Sequence, residues 1–265
     1  MSRKFVVPVA ALLAAAVFTG FASRINGGHP AGQGSVKEYG IAAKEAIRHD
    51  MSAYTQGLFF HDGYLYESTG QYGESSFRKV DPATGKVLRQ EVFPARYFGE
   101  GSCVFDGRAY ILTWYEGTCF VYDIETFTKL AEFPYQGEGW GLTTDGRSLI
   151  MSDGTSTLSF RDPVTFLEQR TLTVRDGGRE VPFINELEYI DGEIWANVYG
   201  LDEIYIIDPV SGSVTAKVDC RGLLDSRYRT SAVDVFNGIA YNPADSSLYL
   251  TGKYWPMMYK VTVKW

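Results

Sequence analysis

One carboxylate stands apart in the stretch Tyr97–Cys103, which reads YFGEGSC. Glu100 lies between two glycines and follows two aromatic residues. A carboxyl group among aromatic side chains loses hydration, and because that loss disfavours the charged form it raises the pKa. A raised pKa brings the group closer to the range in which a carboxyl accepts and returns a proton near neutral pH. The stretch therefore predicts an acid–base residue, whose pKa a nearby cation such as Lys253 would lower.

Histidine and cysteine offer no rival chemistry. The three histidines lie early in the chain and do not cluster, which argues against a His-ligated zinc site and against a Ser-His triad; they are His29, His49 and His61. The three cysteines have no CxxC or other metal-binding spacing, so we expect buried free thiols; they are Cys103, Cys119 and Cys220. These residues predict no metal and no other cofactor.

A repeated unit must hold Glu100 in place. Each copy begins with a tight turn, usually Asp-Gly, which is a strong hairpin signal. The turns recur every 39 to 54 residues, at Asp62, Asp106, Asp145, Asp191 and Asp245. The first four copies continue with a second strand–turn–strand element, which reads VDPATGKV, YDIETFTKL, RDPVTFLEQ and IDPVSGSV in order. Each unit thus supplies about four strands in roughly 40 to 50 residues, the size of a β-propeller blade.

Five copies predict an all-β fold, a five-bladed β-propeller that forms the catalytic domain over residues 37–265. The fifth copy is one strand short, because only one further strand, MYKVTVKW, which ends at Trp265, follows its second strand. We expect part of the segment Glu38–Asp50 to supply that strand and to close the ring, which removes exposed sheet edges.

The repeat also predicts which side chains meet. The residues six positions before the turns, or at the like place in the longer fifth turn, are Gln56, Glu100, Gly139 beside Trp140, Asn185 and Asn237. First strands line the channel of a propeller, so we expect these residues to converge, with Glu100 as their one carboxylate. One alternative is that these polar groups only satisfy one another around a narrow, wet channel.

The positions eight residues after the turns should end the second strands; they are Gly70, Trp114, Asp153, Tyr199 and Lys253. With Phe98 and Trp140, the aromatic members would wall a small pocket, with Lys253 as a cation at its rim. Other acidic residues are expected to be structural partners, with Glu186 and Glu188 opposite Asn185; these residues are Glu67, Glu138, Glu186 and Glu188.

Several stretches resemble the plant-type glutamine cyclotransferase family, which also has bacterial members. They span residues 54–261 and include YTQGL, YFGEG, GEGWGLTTDG, INELEYIDGEIWANVYG and TGKYWPMMYKV. The resemblance implies a five-bladed propeller that converts N-terminal glutaminyl residues to pyroglutamyl, releases ammonia and uses no catalytic metal. It implies Glu100 as the catalytic acid–base residue. The substrate-binding residues that it implies are Gln56, Phe98, Trp114, Trp140, Asn185 and Lys253, together with Tyr199, where many members have Trp.

Two other classes remain open at this stage. One is a non-catalytic exported propeller that binds a peptide or protein partner through the same face. The other is a metal-dependent lactonase or phosphotriesterase-like propeller, which needs several carboxylates around one cation. The second is less favoured, because Glu100 is the one carboxylate expected to approach the channel.

The N-terminus and the charge set the expected location and partners. Arg3 and Lys4 precede an apolar run that ends near Phe18, and small residues then follow, so residues 1–22 are predicted to be a signal peptide and 23–36 a leader. We expect an exported protein, periplasmic or secreted, with no stable membrane insertion after cleavage; a retained anchor is the alternative. A formal net charge of −7 predicts no basic face for nucleic acid. The expected partners are peptides or proteins with N-terminal Gln, and the expected state is a monomer.

Overall fold

A computed structural model of the chain describes residues 36–264. The predicted signal peptide, residues 1–22, lies outside the described residues, as does the predicted leader up to residue 35. Residues 36–264 form twenty-two strands and one short 3₁₀ helix, which spans Ser226–Tyr228. Within this range no helix has the length and apolarity needed to cross a bilayer.

The strands follow one another along the chain with short connections. The first nine are β1, Lys37–Arg48; β2, Thr55–His61; β3, Tyr64–Thr69; β4, Ser76–Val80; β5, Val87–Val92; β6, Gly99–Phe105; β7, Arg108–Thr113; β8, Thr118–Asp123; and β9, Lys129–Pro134. The next six are β10, Leu142–Thr144; β11, Leu149–Ser152; β12, Thr157–Arg161; β13, Glu168–Thr173; β14, Arg175–Asp176; and β15, Arg179–Glu180. The last seven are β16, Ile184–Ile190; β17, Glu193–Val198; β18, Glu203–Ile207; β19, Val214–Asp219; β20, Phe236–Asn242; β21, Ser247–Gly252; and β22, Met257–Lys264.

Each of the first four repeats folds as an antiparallel four-stranded sheet in which sequence neighbours pair. These sheets are β2–β5, β6–β9, β10–β13 and β16–β19. The fifth repeat supplies three strands, β20–β22, and β1 pairs antiparallel with β22 between Gly40 and Arg48. The start of β1 also pairs in parallel with β19, so these eight strands form one continuous sheet. The described chain is therefore all-β and propeller-like.

The Asp-Gly turns behave as predicted in three of the repeats. Two-residue hairpins with positive φ at both residues occur at Asp62-Gly63, Asp106-Gly107 and Asp191-Gly192. This geometry matches the twist of the flanking strands. The turn at Asp145 is longer, because the Asp145 carboxylate accepts hydrogen bonds from the amides of Arg147 and Ser148, and Thr144 pairs with Leu149.

Hydrophobic cores lie between adjacent sheets and hold the strands of those sheets in place. Tyr66 and Phe77 of the first sheet are fully buried against Phe120 and Tyr122 of the second. Truncation of one such aromatic residue to Ala typically costs about 3–5 kcal/mol. All three cysteines are buried and unpaired, as the sequence predicts.

One hairpin lies outside the repeat. Strands β14 and β15 pair between the third and fourth sheets, around two glycines of positive φ, Gly177 and Gly178. Lys217 Nζ on β19 lies 2.7 Å from Asp176 Oδ2 and ties the hairpin to the fourth sheet.

Candidate active site

Four of the five predicted channel positions coincide with bulges in the inner strands, by which we mean the first strand of each sheet, whereas Gly139 and Trp140 lie before β10. Pairing with the second strand shifts register at Gln56 on β2, at Glu100 on β6, at Asn185 on β16 and at Asn237 on β20. A bulge leaves a residue unpaired and re-aims its side chain. The polar side chains are therefore held at the four points where the local ladder is interrupted.

Glycines beside these bulges let neighbouring inner strands come close. The amide of Gly101 donates a hydrogen bond to the carbonyl oxygen of Trp140 at 2.6 Å. A Cβ at Gly101 would lie 2.5 Å from that oxygen, and one at Gly57 would lie 2.5 Å from the amide nitrogen of Ser102. Real Cβ atoms essentially never show such contacts, so close strand approach requires glycine here.

Glu100 is a buried carboxyl group with one firm side-chain partner. Glu100 is only 4% exposed. Its Oε1 accepts a hydrogen bond of 2.8 Å from Gln56 Nε2. Burial raises the pKa of Glu100 well above its ordinary value, the charge of Lys253 opposes this rise, and Glu138 and Glu116 add to it. Both directions match those expected from the sequence.

Two tryptophans are tied together beside Glu100. The indole Nε1 of Trp114 donates to Glu138 Oε2 at 2.7 Å, and that of Trp140 donates to the same oxygen at 2.9 Å. Phe98 packs against Trp114 with ring centroids 5.3 Å apart. The carboxylate of Glu138 thus sets the orientation of two indoles at once.

The other half of the wall is continuous with this one. Trp140 meets Tyr199 edge-on at 6.0 Å, and Lys253 Nζ lies 5.3 Å from the Tyr199 ring centroid and 4.6 Å from that of Tyr54. Tyr54 then contacts Phe98 at 5.9 Å. We call this closed set the aromatic circle: Tyr54, Phe98, Trp114, Trp140 and Tyr199, linked through Lys253 and Glu138.

Lys253 lies deeper than the sequence predicts. It is only 3% exposed, so its cation is inside the circle and not at a rim. Burial lowers the pKa of Lys253. The charges of Glu100 and Asp234 offset part of this decrease, and the net shift is downward. Its backbone is fixed by two hydrogen bonds to the segment that leads into β20: its amide donates to the carbonyl oxygen of Val235, and its carbonyl oxygen accepts from the amide of Asp234.

Three of the predicted channel residues carry an amide oxygen that has no hydrogen-bond partner within residues 36–264. These buried atoms are Gln56 Oε1, Asn185 Oδ1 and Asn237 Oδ1. Asn237 Nδ2 donates to the carbonyl oxygen of Thr55 at 3.0 Å, and the backbone carbonyl oxygen of Asn185 accepts from Ser152 Oγ at 2.7 Å. Buried acceptors without a donor are costly, so their grouping is typical of a site that receives a ligand with N–H groups.

The remaining acidic residues are hydrogen-bonded within the fold, with one difference from expectation. Glu67 Oε1 accepts from His49 Nε2 at 2.9 Å and from Thr55 Oγ1 at 2.7 Å, and Glu138 holds the indoles as described. Glu186 accepts from the amides of Leu58 and Ile239 at 3.2 and 2.9 Å, so a second carboxylate lies between the inner strands. The expectation that Glu100 alone would approach the channel is wrong, because simple alternation fails at the bulge that contains Asn185 and Glu186.

Four further residues of the site have no place in the repeat register. Tyr54 completes the circle, and Tyr72 packs against Phe98 at 5.4 Å while its hydroxyl donates to Glu116. Glu116 also accepts from the amide of Phe98 at 3.3 Å. Glu138 was expected only as a structural partner.

Residues 36–264 contain no group of three or more His, Cys, Asp or Glu side chains that could hold a metal ion.

Comparison with known proteins agrees with this geometry. A family model described as glutamine cyclotransferase matches residues 12–263. The chain is 41% identical over 276 residues to a glutaminyl-peptide cyclotransferase of Arabidopsis thaliana, and the match covers 100% of this chain and 85% of that protein. It is similar to the crystal structure of the Myxococcus xanthus glutaminyl cyclase, with a TM-score of 0.80 and 31% identity over 86% of this chain and 98% of that one. The chain therefore belongs to the glutamine cyclotransferase family.

Proposed function

We propose that this chain converts N-terminal glutaminyl residues of peptides and proteins into pyroglutamyl residues, with Glu100 as the group that moves the proton. The family and both relatives support the activity, since one is a glutaminyl-peptide cyclotransferase and the other a glutaminyl cyclase. One observation carries the assignment of the site. The buried carboxyl of Glu100 has a strongly raised pKa and is bonded to Gln56 next to a circle of aromatic side chains.

The reaction is intramolecular and needs no second substrate. The α-amino nitrogen of the substrate attacks the carbon of its own γ-carboxamide, and a C–N bond forms to give a tetrahedral intermediate. The bond from that carbon to the original amide nitrogen then breaks, and ammonia leaves. One proton must move from the attacking nitrogen to the leaving nitrogen.

Glu100 is suited to carry that proton in both directions. With Oε1 held by Gln56, we assign transfer to Oε2. The carboxylate accepts the proton from the attacking amine as general base and returns it to the departing nitrogen as general acid. A raised pKa brings these two steps closer in free energy than they would be for an ordinary glutamate.

The aromatic circle and the buried polar groups hold the substrate in its reactive shape. Flat rings such as Phe98, Trp114 and Trp140 restrict the Gln side chain to the folded conformer, which reduces the entropy lost on reaching the transition state. The free amide oxygens of Gln56 and Asn185 accept N–H groups of the substrate. Lys253 keeps the substrate amine neutral by repelling its ammonium form, and it donates to the oxyanion of the intermediate.

Ammonia release tests the function directly. The chain is incubated with the tripeptide Gln-Ala-Ala-amide, ammonia is measured by a coupled assay, and the product is identified by mass spectrometry. An N-acetylated peptide is the matched control, because its blocked nitrogen cannot attack. Release that survives a chelator supports the metal-independent reaction, whereas no release under any condition supports the non-catalytic peptide-binding alternative.

We also propose that the sheets are the five blades of a closed propeller and that β1 closes the ring. The pairing of β1 with β22 supports closure, as do the bonds that Glu186 accepts from β2 and β20 and the bond from Asn237 to Thr55. An experimental structure with any other blade count, or with β1 unpaired, contradicts this arrangement.

Export and a monomeric state are part of the same proposal. The basic and apolar pattern of residues 1–22 supports a signal peptide, with residues 23–36 as a leader. N-terminal sequencing of the protein recovered outside the cytoplasm tests cleavage near Ala22. Size-exclusion chromatography with light scattering tests the monomer.

A further inference from the structure

A mainly apolar cavity of about 310 Å³ adjoins the aromatic circle. It lies beside the fourth sheet, between the segment that follows the β14–β15 hairpin and the turn between β17 and β18. Its apolar lining includes Val181, Phe183, Tyr199, Leu201 and Tyr205. Tyr199 belongs both to this lining and to the aromatic circle, so the cavity and the candidate active site share a residue.

Two large apolar side chains of this cavity are exposed to solvent. Phe183 is 54% exposed and Leu201 is 40% exposed. Phe183 also has a φ of 64°, a left-handed conformation that is strained for a bulky residue. Its backbone is held there, because its amide donates to the carbonyl oxygen of Gly154 and its carbonyl oxygen accepts from the amide of Tyr199. The fold thus presents an aromatic ring to the cavity at a cost in conformational free energy.

The substrate itself explains why such a surface would stand here. The reacting residue is the first of a peptide, so the second residue lies just outside the aromatic circle. Each residue of an extended chain spans about 3.3–3.6 Å, so the second or third side chain lies within reach of the far side of Tyr199.

The charges at the border of the cavity disfavour a cationic occupant. Asp176 Oδ2 lies 2.7 Å from Lys217 Nζ, and Glu180 Oε1 lies 3.1 Å from an Arg175 nitrogen. Both acidic residues therefore already have a cation as partner, and the remaining charge of the lining is the exposed cation of Arg179, so the cavity gives little attraction to a cationic side chain.

We propose that this cavity binds an apolar side chain at the second or third position of the glutaminyl peptide and so sets a sequence preference. This inference rests on the proposed function, which it extends from the first residue to those that follow. A larger and more polar cavity of about 480 Å³ also borders Leu201 and is lined by Asp202, Glu203, Arg229 and Asp234. That cavity suits a charged side chain, and the experiment distinguishes the two.

The test compares kcat/KM for five peptide amides. Gln-Ala-Ala is the reference, Gln-Phe-Ala and Gln-Ala-Phe probe the apolar cavity, and Gln-Arg-Ala and Gln-Asp-Ala probe the polar one. We expect one of the Phe peptides to exceed the reference by about tenfold, mainly through a lower KM, as for burial of an apolar side chain at a partly open site.

A double variant then links the preference to the cavity. In Phe183→Asn with Leu201→Asn, the preference should fall to near the level of the reference peptide while kcat/KM for Gln-Ala-Ala stays unchanged; Asn tolerates the left-handed φ at position 183. Val210→Asn, at an apolar residue that is 84% exposed on a distant turn, is the matched control and should keep the preference.

Each other outcome contradicts the proposal in a distinct way. Equal kcat/KM for all peptides, or a Phe preference that survives the double variant, overturns the subsite but leaves the activity standing. A preference for Arg or Asp that Asp234→Asn changes assigns the role to the polar cavity instead. No ammonia from any peptide contradicts the proposed function, and the subsite falls with it.

Discussion

Gln56 Nε2 on β2 donates a hydrogen bond of 2.8 Å to Glu100 Oε1 on β6, so one inner strand holds the buried carboxyl of the next. A hydrogen bond to a carboxylate favours its charged form and lowers the pKa. In the Gln56→Leu variant this bond is lost, so we expect the pKa of Glu100 to rise further. The pKa read from the pH dependence of kcat/KM should therefore move to higher pH. An unchanged profile would contradict a link between these two residues.

Glu100→Gln should abolish nearly all cyclisation and leave the fold intact. The amide keeps the size of the side chain and can still bond to Gln56, but it cannot accept and return a proton. Loss of one acid–base group typically lowers the rate by about 10²–10⁴-fold. Ammonia release from Gln-Ala-Ala-amide measures the loss, and an unchanged thermal unfolding curve shows that the variant is folded. Turnover near that of the wild type would contradict the assignment of Glu100 as the acid–base residue.

Glu138→Gln should change both the pH profile and the tryptophan fluorescence. The negative charge of Glu138 contributes to the raised pKa of Glu100, so its removal should lower that pKa, opposite to the shift expected for Gln56→Leu. The shared acceptor of the two indoles is weakened at the same time, so the emission of Trp114 and Trp140 should change. We expect a loss of about tenfold in kcat/KM, near the lower end of what positioning errors cost. Glu125→Gln, at an exposed turn, is the control and should alter neither signal.

Stability should fall with rising pH through one partly buried glutamate, Glu188. Burial raises the pKa of Glu188 to about 8, from an ordinary value of 4.5 in the unfolded chain. The folded state binds this proton more tightly than the unfolded chain does. The contribution of the protonated Glu188 to the free energy of unfolding is therefore fully present below pH 4.5 and is lost as the pH rises through about 8. Glu188→Gln removes this dependence, and its free energy of unfolding in urea should fall less between pH 5 and pH 8 than that of the wild type. If the two proteins lose stability equally over this range, Glu188 is not the source; Glu74→Gln, at an exposed site, should behave as wild type.

Ile47→Ala should destabilise the fold through the attachment of β1. Ile47 pairs with Met258 of β22 and is 5% exposed in a core with Leu58 and Leu65. Truncation of a buried Ile typically costs about 2–5 kcal/mol. Thermal or urea unfolding measures the change, and Leu88→Ala, at a residue that is 47% exposed, should cost far less. Equal effects of the two changes would mean that β1 adds little to the core.

The repeat register alone relates many residues of the candidate site to one another, because it is a local property of the sequence. Counting from the turn aspartates relates Gln56 to Glu100 and Trp114 to Lys253, although these residues are far apart in the chain. The aligned turns mark equivalent points on each sheet, and inner strands of such sheets meet. The hydrogen bond between Gln56 and Glu100 and the ring contacts of Tyr199 agree with that reasoning.

The departures come from features that a register cannot express. The bulge that places Glu186 between Leu58 and Ile239 depends on how the second strand pairs, which alternation alone does not reveal. Tyr54 lies before its strand, and its role depends on a contact with Phe98, more than forty residues away in the sequence. The turn of the β14–β15 hairpin reads Asp-Gly-Gly, which is a local turn signal. The hairpin lies between two repeats, so no other repeat contains an equivalent segment with which to align it.

The pairing of β1 with β22 has a consequence for synthesis. Ile47 pairs with Met258, so β1 cannot complete its antiparallel pairing until β22, far later in the chain, has been made. Contacts between residues so distant in sequence form slowly, because a long loop must close before they contribute. A nascent chain halted before Met257 would contain every residue of the aromatic circle and still lack the strand that β1 needs. The antiparallel pairing of β1 is thus among the last contacts of the described residues to become possible during synthesis.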